Sequence, residues 1–208
     1  MSDSVFHQGE LYVQQSTGEE YFAMQNRSIV RDSIVGGALH FVLSQSFFFV
    51  SSKDKEGMLW ASVLSGNPGF LDIQDSRNLL LNVDFLNSNP DDIFWKNILN
   101  NSSIGLLFIE LASRRRFRVN GNITKPDKLW KIEIEQAYPN CPKYIQKRKS
   151  ISPDALAEPA SNDMKKWIAE ADTVFVASSD SDNNLDVSHR GGNPGFISWA
   201  AEKRITNT

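Results

Sequence analysis

Phe49–Leu71 reads FVSSKDKEGMLWASVLSGNPGFL, and Phe175–Ile197, at a constant offset of 126, reads FVASSDSDNNLDVSHRGGNPGFI. The two segments align without a gap and share 11 of 23 positions, including the whole pentapeptide Gly66–Phe70 over Gly192–Phe196. Self-similarity of this density points to a duplicated unit rather than to chance. Each copy has the pattern of a β-hairpin followed by a tight loop. Phe47 to Ser52 is apolar and β-prone, Lys53 to Gly57 supplies turn residues, and Met58 to Leu64 resumes the strand. In the loop, Pro68 fixes its own φ and keeps Asn67 out of the helical region, while Gly66 and Gly69 permit conformations that a side chain would obstruct. A shared hairpin for stability alone and a duplicated binding site both fit the repeat. Because glycine lets a ligand approach the main chain, the common GNPGF favours the second.

The surroundings of the copies differ. After Phe70 come further strand patterns at Leu79–Val83, Ile104–Glu110, Arg115–Asn122 and Leu129–Ala137, with a short helix predicted over Asp91–Leu99. With the first hairpin these make about six or seven antiparallel strands, the number that suits a small barrel. Only 12 residues follow Phe196, so the second copy is expected to be incomplete and to pack on the first. The organisation read from the chain is an N-terminal arm plus barrel over 1–149, a Pro- and Ser-containing linker over 150–161, and a helix with the partial second repeat over 162–208.

Composition sets the outer limits. Of 208 residues 40% are hydrophobic and 23% charged, a globular balance, and neither apolar run, Phe47–Val50 nor Ile104–Ile109, approaches the length of a bilayer helix. The net charge of −3 removes the basic-surface case for nucleic acid. A soluble protein with no nucleic-acid and no membrane partner is expected. The lone Cys141 cannot form an intrachain disulfide, and Met1–Gly18 lacks a signal-peptide pattern, so a reducing, cytoplasmic location is the expectation.

Familiar catalytic signatures are missing from the sequence: no GxGxxG, Walker loop, HExxH or paired CxxC occurs. The histidines His7, His40 and His189 have no metal-ligand spacing, so no metal site is expected. His40 is predicted to be a packed residue of a helix and His7 to belong to a docked arm. The strongest charge feature is Arg114-Arg115-Arg116-Phe117-Arg118-Val119-Asn120. Strand alternation puts Arg114, Arg116, Arg118 and Asn120 on one face, where aligned guanidiniums need an anion, either a bound phosphate or the carboxylates Glu110, Glu133 and Glu135. At the mouth of the second loop, Ser188-His189-Arg190-Gly191-Gly192 offers a hydroxyl, an imidazole, a guanidinium and bare backbone, which suits a phosphate as well as an unliganded surface turn. The first copy keeps the hydroxyl of Ser62 and lacks the cation. Asn140-Cys141-Pro142-Lys143-Tyr144 has the capping residue and proline of a helix start, which would aim Lys143 and Tyr144 at a ligand.

FHQGE (6–10), GMLWASVLSGNPGF (57–70), RRRFRVNG (114–121), NCPKYIQ (140–146) and DVSHRGGNPGF (186–196), in this order, resemble the pyridoxamine 5'-phosphate oxidase-like flavin-nucleotide-binding proteins over nearly the whole chain. That resemblance implies a mainly β fold with a few short helices, an antiparallel split β-barrel of FMN-binding type, and FMN as cofactor, commonly lying at an interface between barrels. It implies a flavoprotein, with oxidoreductase use of the flavin as the leading function and a non-catalytic ligand-binding or assembly module as the alternative. The cofactor-binding candidates are Ser188, His189, Arg190 and Arg116 for the phosphate, with Trp60, Ser62, Ser65, Gly66 and Phe70 for the ring or ribityl side. Catalytic residues are not identified by the sequence. An incomplete second copy leaves strand edges that seek partners, so a homodimer is expected. Sedimentation at micromolar concentration should show a dimer or larger species; a stable monomer would mean that the barrel covers those edges itself.

Overall fold

The computed structural model describes residues 6, 8–125, 128–149, 163–200 and 204–207, with backbone alone for 199–200 and 204–207. His7 and the segment 150–161 read as a linker lie outside the described residues. Helices α1 (Gln8–Thr17), α2 (Glu20–Asn26) and α3 (Gly37–Leu43) precede β1 (Phe47–Lys53) and β2 (Leu59–Ser65). There follow β3 (Leu71–Asp75), β4 (Asn78–Asn82), α4 (Phe94–Asn97), β5 (Ser103–Glu110), β6 (Arg115–Thr124) and β7 (Leu129–Pro139). Then come α5 (Met164–Glu170), β8 (Thr173–Ser179), β9 (Leu185–Gly191), β10 (Ile197–Ala200) and β11 (Arg204–Asn207).

Strands β1 to β7 form one antiparallel sheet in the order β2-β1-β5-β6-β7-β4-β3. The two outer strands, β2 and β3, are consecutive in the chain and joined only by Gly66–Phe70. A flat sheet of this width would hold its edges roughly 29 Å apart. The short link spans at most about 21 Å. The sheet therefore has to curl until its edges meet, and the closure is made by neighbouring segments rather than by a continuous β2–β3 ladder. Gly66 bridges Leu86, Asn67 N donates to the Phe85 carbonyl at 2.9 Å, and Asn87 N donates to the Ser65 carbonyl at 2.8 Å. The fold is a mainly β, antiparallel split barrel with a few short helices. Its interior is filled by side chains from all around the sheet, among them Phe48, Phe70, Leu79, Phe108, Val119 and Ile132.

Beta-5 explains its own sequence. An antiparallel strand facing solvent on one side alternates apolar and polar residues, yet Ile104–Ile109 is continuously buried. Ile104, Leu106 and Phe108 belong to the barrel core, whereas Leu107 and Ile109 are buried outside it. On that outer side lies β9, whose Leu185 and Val187 are also buried. Each such apolar side chain taken out of water contributes about 1.5–3 kcal/mol. The approach is close enough to require a glycine: a Cβ on Gly105 would stand 2.6 Å from the Asp186 Cα and 2.8 Å from the Leu185 carbonyl oxygen.

The two repeats superpose in register as well as in sequence. Phe47 pairs with Ser65 in the first hairpin and Thr173 with Gly191 in the second, each number advanced by the same 126. Phe70 N donates to the Asn67 carbonyl at 3.1 Å, and Phe196 N to the Asn193 carbonyl at 3.0 Å. Gly69 and Gly195 have φ of 91° and 90°, a region that L side chains avoid. Gly66 N bonds the Ser46 carbonyl and Gly192 N the Asp172 carbonyl, each at 3.0 Å. The first residues of the two repeats meet directly, with the rings of Phe49 and Phe175 stacked at 13°.

Three local expectations change. His40 lies on α3 as predicted but is exposed, because the buried face of this helix is made by Phe41 and Val42. The helix predicted over Asp91–Leu99 shortens to α4, entered through Asp92, whose carboxylate accepts from Phe94 N at 2.8 Å. Asn140–Gln146 forms a turn rather than a helix: Ile145 N closes on the Pro142 carbonyl at 3.2 Å, and Tyr144 adopts φ of 67°, which ends any helical continuation. Helices α1 and α2, which the sequence pattern did not announce, bury none of their residues.

Gly105→Ala should displace the second hairpin, since the added methyl meets backbone and backbone cannot rotate away. A loss of about 1–3 kcal/mol in denaturant unfolding is expected. Amide exchange in β8 and β9 should rise more than in β6 and β7, which separates hairpin release from general unfolding.

Candidate functional site

Beta-6 carries Arg116, Arg118 and Asn120 on one face, as alternation requires, and this face meets β9. Arg118 Nη1 donates to Asp186 Oδ2 at 2.8 Å, with both side chains largely withdrawn from solvent (13% and 25% exposed). Oriented nitrogen-first, the Asn120 amide donates to the other carboxylate oxygen at 3.3 Å. Burial nevertheless holds the Asp186 carboxyl above its ordinary range, against the pull of Arg118. The carboxylate that neutralises this face thus comes from the second repeat. Glu110 is taken by Arg115 and Ser113, while Glu135 accepts from Asn122 at 2.8 Å. Arg114 leaves the strand face, sitting in the β5–β6 turn with φ of 56°.

Arg116 finds no carboxylate among the described residues. Its Nη1 lies 3.2 Å from His189 Nδ1. A guanidinium only donates, so Nδ1 is the acceptor and the ring proton resides on Nε2. That Nε2–H and the Arg116 Nε–H are buried donors without partners. His189 is 2% exposed, packed edge-on against Phe175, and its pKa is pushed down to about 4 by burial first and then by the charges of Arg116, Arg190, Arg148 and Arg118. Arg116 is itself lowered by burial and by the neighbouring charge of Arg118. At neutral pH the site holds a neutral imidazole beside guanidiniums that repel one another.

These groups open onto a cleft of about 710 Å³ bounded by Arg116, His189, Arg190, Lys143 and the Gly191–Phe196 loop. Arg190 is exposed, and its side chain donates from Nη1 to the His189 carbonyl at 3.4 Å. No carboxylate lines the cleft among the described residues. The turn at 140–146 closes one side: Gln146 Nε2 donates to the Gly192 carbonyl at 3.1 Å, and Tyr144 approaches Gly191 so closely that a Cβ there would stand 2.1 Å from the Tyr144 carbonyl oxygen.

The equivalent position in the first repeat is filled. Asn67 N bonds Phe85, Asn87 Nδ2 donates to Asn67 Oδ1 at 2.9 Å, and Ser88 caps Ser65 N at 2.9 Å. The corresponding Asn193 N–H has no protein partner among the described residues. One loop closes the barrel; its repeat lies open beside cations.

Of the residues singled out from sequence, the structure brings Arg116, His189 and Arg190 to this cleft, with Ser188 buried next to them in β9. It does not bring the first-hairpin set there. Trp60 is 42% exposed and donates through Nε1 to Asp54, Ser62 is buried and donates to Asp92 Oδ1 at 2.6 Å, Ser65 and Gly66 serve barrel closure, and Phe70 is core. Lys143 and Tyr144 reach the cleft from a turn. Asp186, which sets the arrangement, had no sequence signal beyond its place in the second repeat. Among the described residues no metal-binding cluster is gathered, and no helix is long and apolar enough to cross a membrane.

No family model matches the chain, and no curated protein matches it. Solved structures with some likeness include HupZ from Group A Streptococcus, 13% identical over 51% of this chain and 94% of that one, at a TM-score of 0.40. A "putative pyridoxamine 5'-phosphate oxidase" from Lactobacillus delbrueckii is 13% identical over 52% of this chain and 95% of its own, also at 0.40. An FMN-binding protein from Syntrophomonas wolfei is 12% identical over 61% of this chain and 96% of its own, at 0.39. Scores this low assign nothing to the cleft, whose chemistry has to be read from its own residues.

Protonation of His189 should be visible in stability. The unfolded imidazole takes its proton near pH 6.5 and the folded one only near 4, so between these values the unfolded chain binds the extra proton and stability falls as pH falls. The contribution lost is roughly 3 kcal/mol at most. His189→Gln should flatten that part of the profile in denaturant unfolding between pH 7 and pH 4; an unchanged slope would mean that the imidazole is not held neutral.

Proposed function

We propose that the chain is a flavin-nucleotide-binding protein whose second GNPGF loop holds the phosphate of FMN. The supporting observation is the cleft itself, in which Arg116, Arg190 and Lys143 stand with a neutral buried imidazole and no carboxylate lines the wall. Charge-assisted hydrogen bonds from guanidinium to phosphate are the strong kind, and the unpaired His189 Nε2–H, Arg116 Nε–H and Asn193 N–H are further donors. A volume of about 710 Å³ lies within the range of small-molecule sites. The reading agrees with the family that the sequence motifs resemble.

In this proposal the exposed Arg190 engages the phosphate first, and Arg116 is fixed behind it by His189. The neutral histidine donates a hydrogen bond without adding charge, and the 140–146 turn screens one side from water. Bound flavin would supply two-electron redox chemistry, with the protein orienting the ring. The ring side falls to a second protomer: of the first-hairpin candidates only Trp60 presents an exposed aromatic surface, on a strand that also exposes Val63. A cytoplasmic homodimer with redox use of the flavin is the full form of the proposal.

Arg190→Ala should reduce FMN affinity roughly 10- to 150-fold, the equivalent of about 1.5–3 kcal/mol for a charged hydrogen bond. Riboflavin has the ring without the phosphate, so its binding should hardly change. Arg116→Ala should show the same FMN-selective loss, because no glutamate already pairs with it. Titration calorimetry of both ligands against wild type and variants checks this; equal losses for the two would move the arginines from the phosphate to the ring or scaffold. Bleaching of the bound flavin by NAD(P)H separates redox use from binding alone.

A further inference from the structure

On the other side of Arg116 lies a second cleft of about 670 Å³, and it has the same electrostatic sign. It is formed between the strap that leads into α3, the β5–β6 turn and the end of β7. The strap is pinned to β7 through its backbone, with Arg31 N donating to the Ala137 carbonyl at 3.1 Å, which leaves the Arg31 side chain at the wall. Arg114 enters from the turn, and Arg116 lines this cleft as well as the first. The floor is apolar: Phe41 and Phe117 are buried beneath it, while Ile29 and Val35 stand 40% and 45% exposed at its rim.

Two of the four arginines that line this cleft are uncommitted. Arg115 pairs with Glu110 and lies over the Phe41 ring, and Asp32, next to Arg31, turns away to Arg77. Arg31 and Arg114 have no carboxylate partner among the described residues, and no acid lines the cleft. Arg114 moreover holds a left-handed backbone, φ 56°, at a turn position where glycine or asparagine would be unstrained. The turn thus presents a cation where a residue without a long side chain would fit its backbone better.

We infer that this cleft is a binding site, distinct from the Arg190 cleft, for a small molecule carrying one carboxylate or phosphate group on an apolar body. The anionic head engages Arg31 and Arg114, and the apolar part covers the exposed Ile29 and Val35 at the rim. The inference does not depend on flavin binding at the other cleft.

The probes are phenyl phosphate and phenylacetate, which separate a phosphate from a carboxylate head, with inorganic phosphate and benzyl alcohol as the head and body alone. Binding is followed by calorimetry and by amide chemical shifts at residues 28–38 and 113–117. At least one aromatic anion should bind more tightly than either fragment, and Arg31→Gln and Arg114→Gly should each weaken it about tenfold or more. Neither variant threatens the fold: Arg31 contributes backbone to the strap, and glycine relieves the φ of Arg114, so the thermal midpoint of Arg114→Gly should rise. Arg190→Ala should leave this binding unchanged. No binding of either aromatic anion at about 10 mM, equal binding of benzyl alcohol, indifference to both substitutions, or loss with Arg190→Ala would each overturn the site.

Discussion

Everything about the candidate site follows from the contact between Arg118 and Asp186. The second hairpin has a barrel strand to lean on and apolar side chains to bury, but apolar contact alone does not fix where along β5 and β6 it stops. A carboxylate that accepts from Arg118 on one oxygen and Asn120 on the other does. Burial raises the pKa of that carboxyl, so the pair costs desolvation as well as contributing attraction. It also consumes only one of the aligned cations. Arg116, two residues earlier, is carried to the mouth of the second loop with no acid to meet, and Arg190 arrives beside it. The positive cleft is what remains when a single carboxylate is placed opposite a strand of arginines.

The duplicated hairpin shows how one design takes two roles. The loops share φ values, hydrogen bonds and register, and the stacked Phe49 and Phe175 bring the two hairpins face to face. What separates them is the neighbouring chain. In the first, the segment around Phe85–Ser88 pairs with the loop and seals the barrel; in the second, the polar groups of the loop face Lys143, Arg116 and Arg190 instead. The repeats diverge through their surroundings, with the loops themselves unchanged.

Much of this was legible from the residues. A gapless offset fixed both hairpins and both loops, and strand alternation placed Arg116, Arg118 and Asn120 together. The uninterrupted apolar run at 104–109 carried the message that β5 is covered on both faces, although sequence could not say by what. The losses came where distant contacts decide. Asn140 and Pro142 have the chemistry of a helix start, but docking of Tyr144 and Gln146 on Gly191 and Gly192 holds the segment as a turn. Arginine alternation allowed either glutamates of neighbouring strands or a ligand as counter-charge; the partner of Arg118 was neither, because Asp186 is 68 residues away and only the packing of the repeat brings it there.

That separation has a temporal meaning. Chain synthesis proceeds at about 5–20 residues per second, so the arginine strand leaves the ribosome roughly 3–14 s before the carboxylate that covers it. Strands β1 to β7 are complete by Pro139, well before β9 is made. The nascent barrel therefore passes through an interval with its β6 guanidiniums uncompensated and the outer face of β5 bare. The late hairpin acts as a cover added to a body whose strands are already made, and it brings the carboxylate that meets the Arg118 guanidinium.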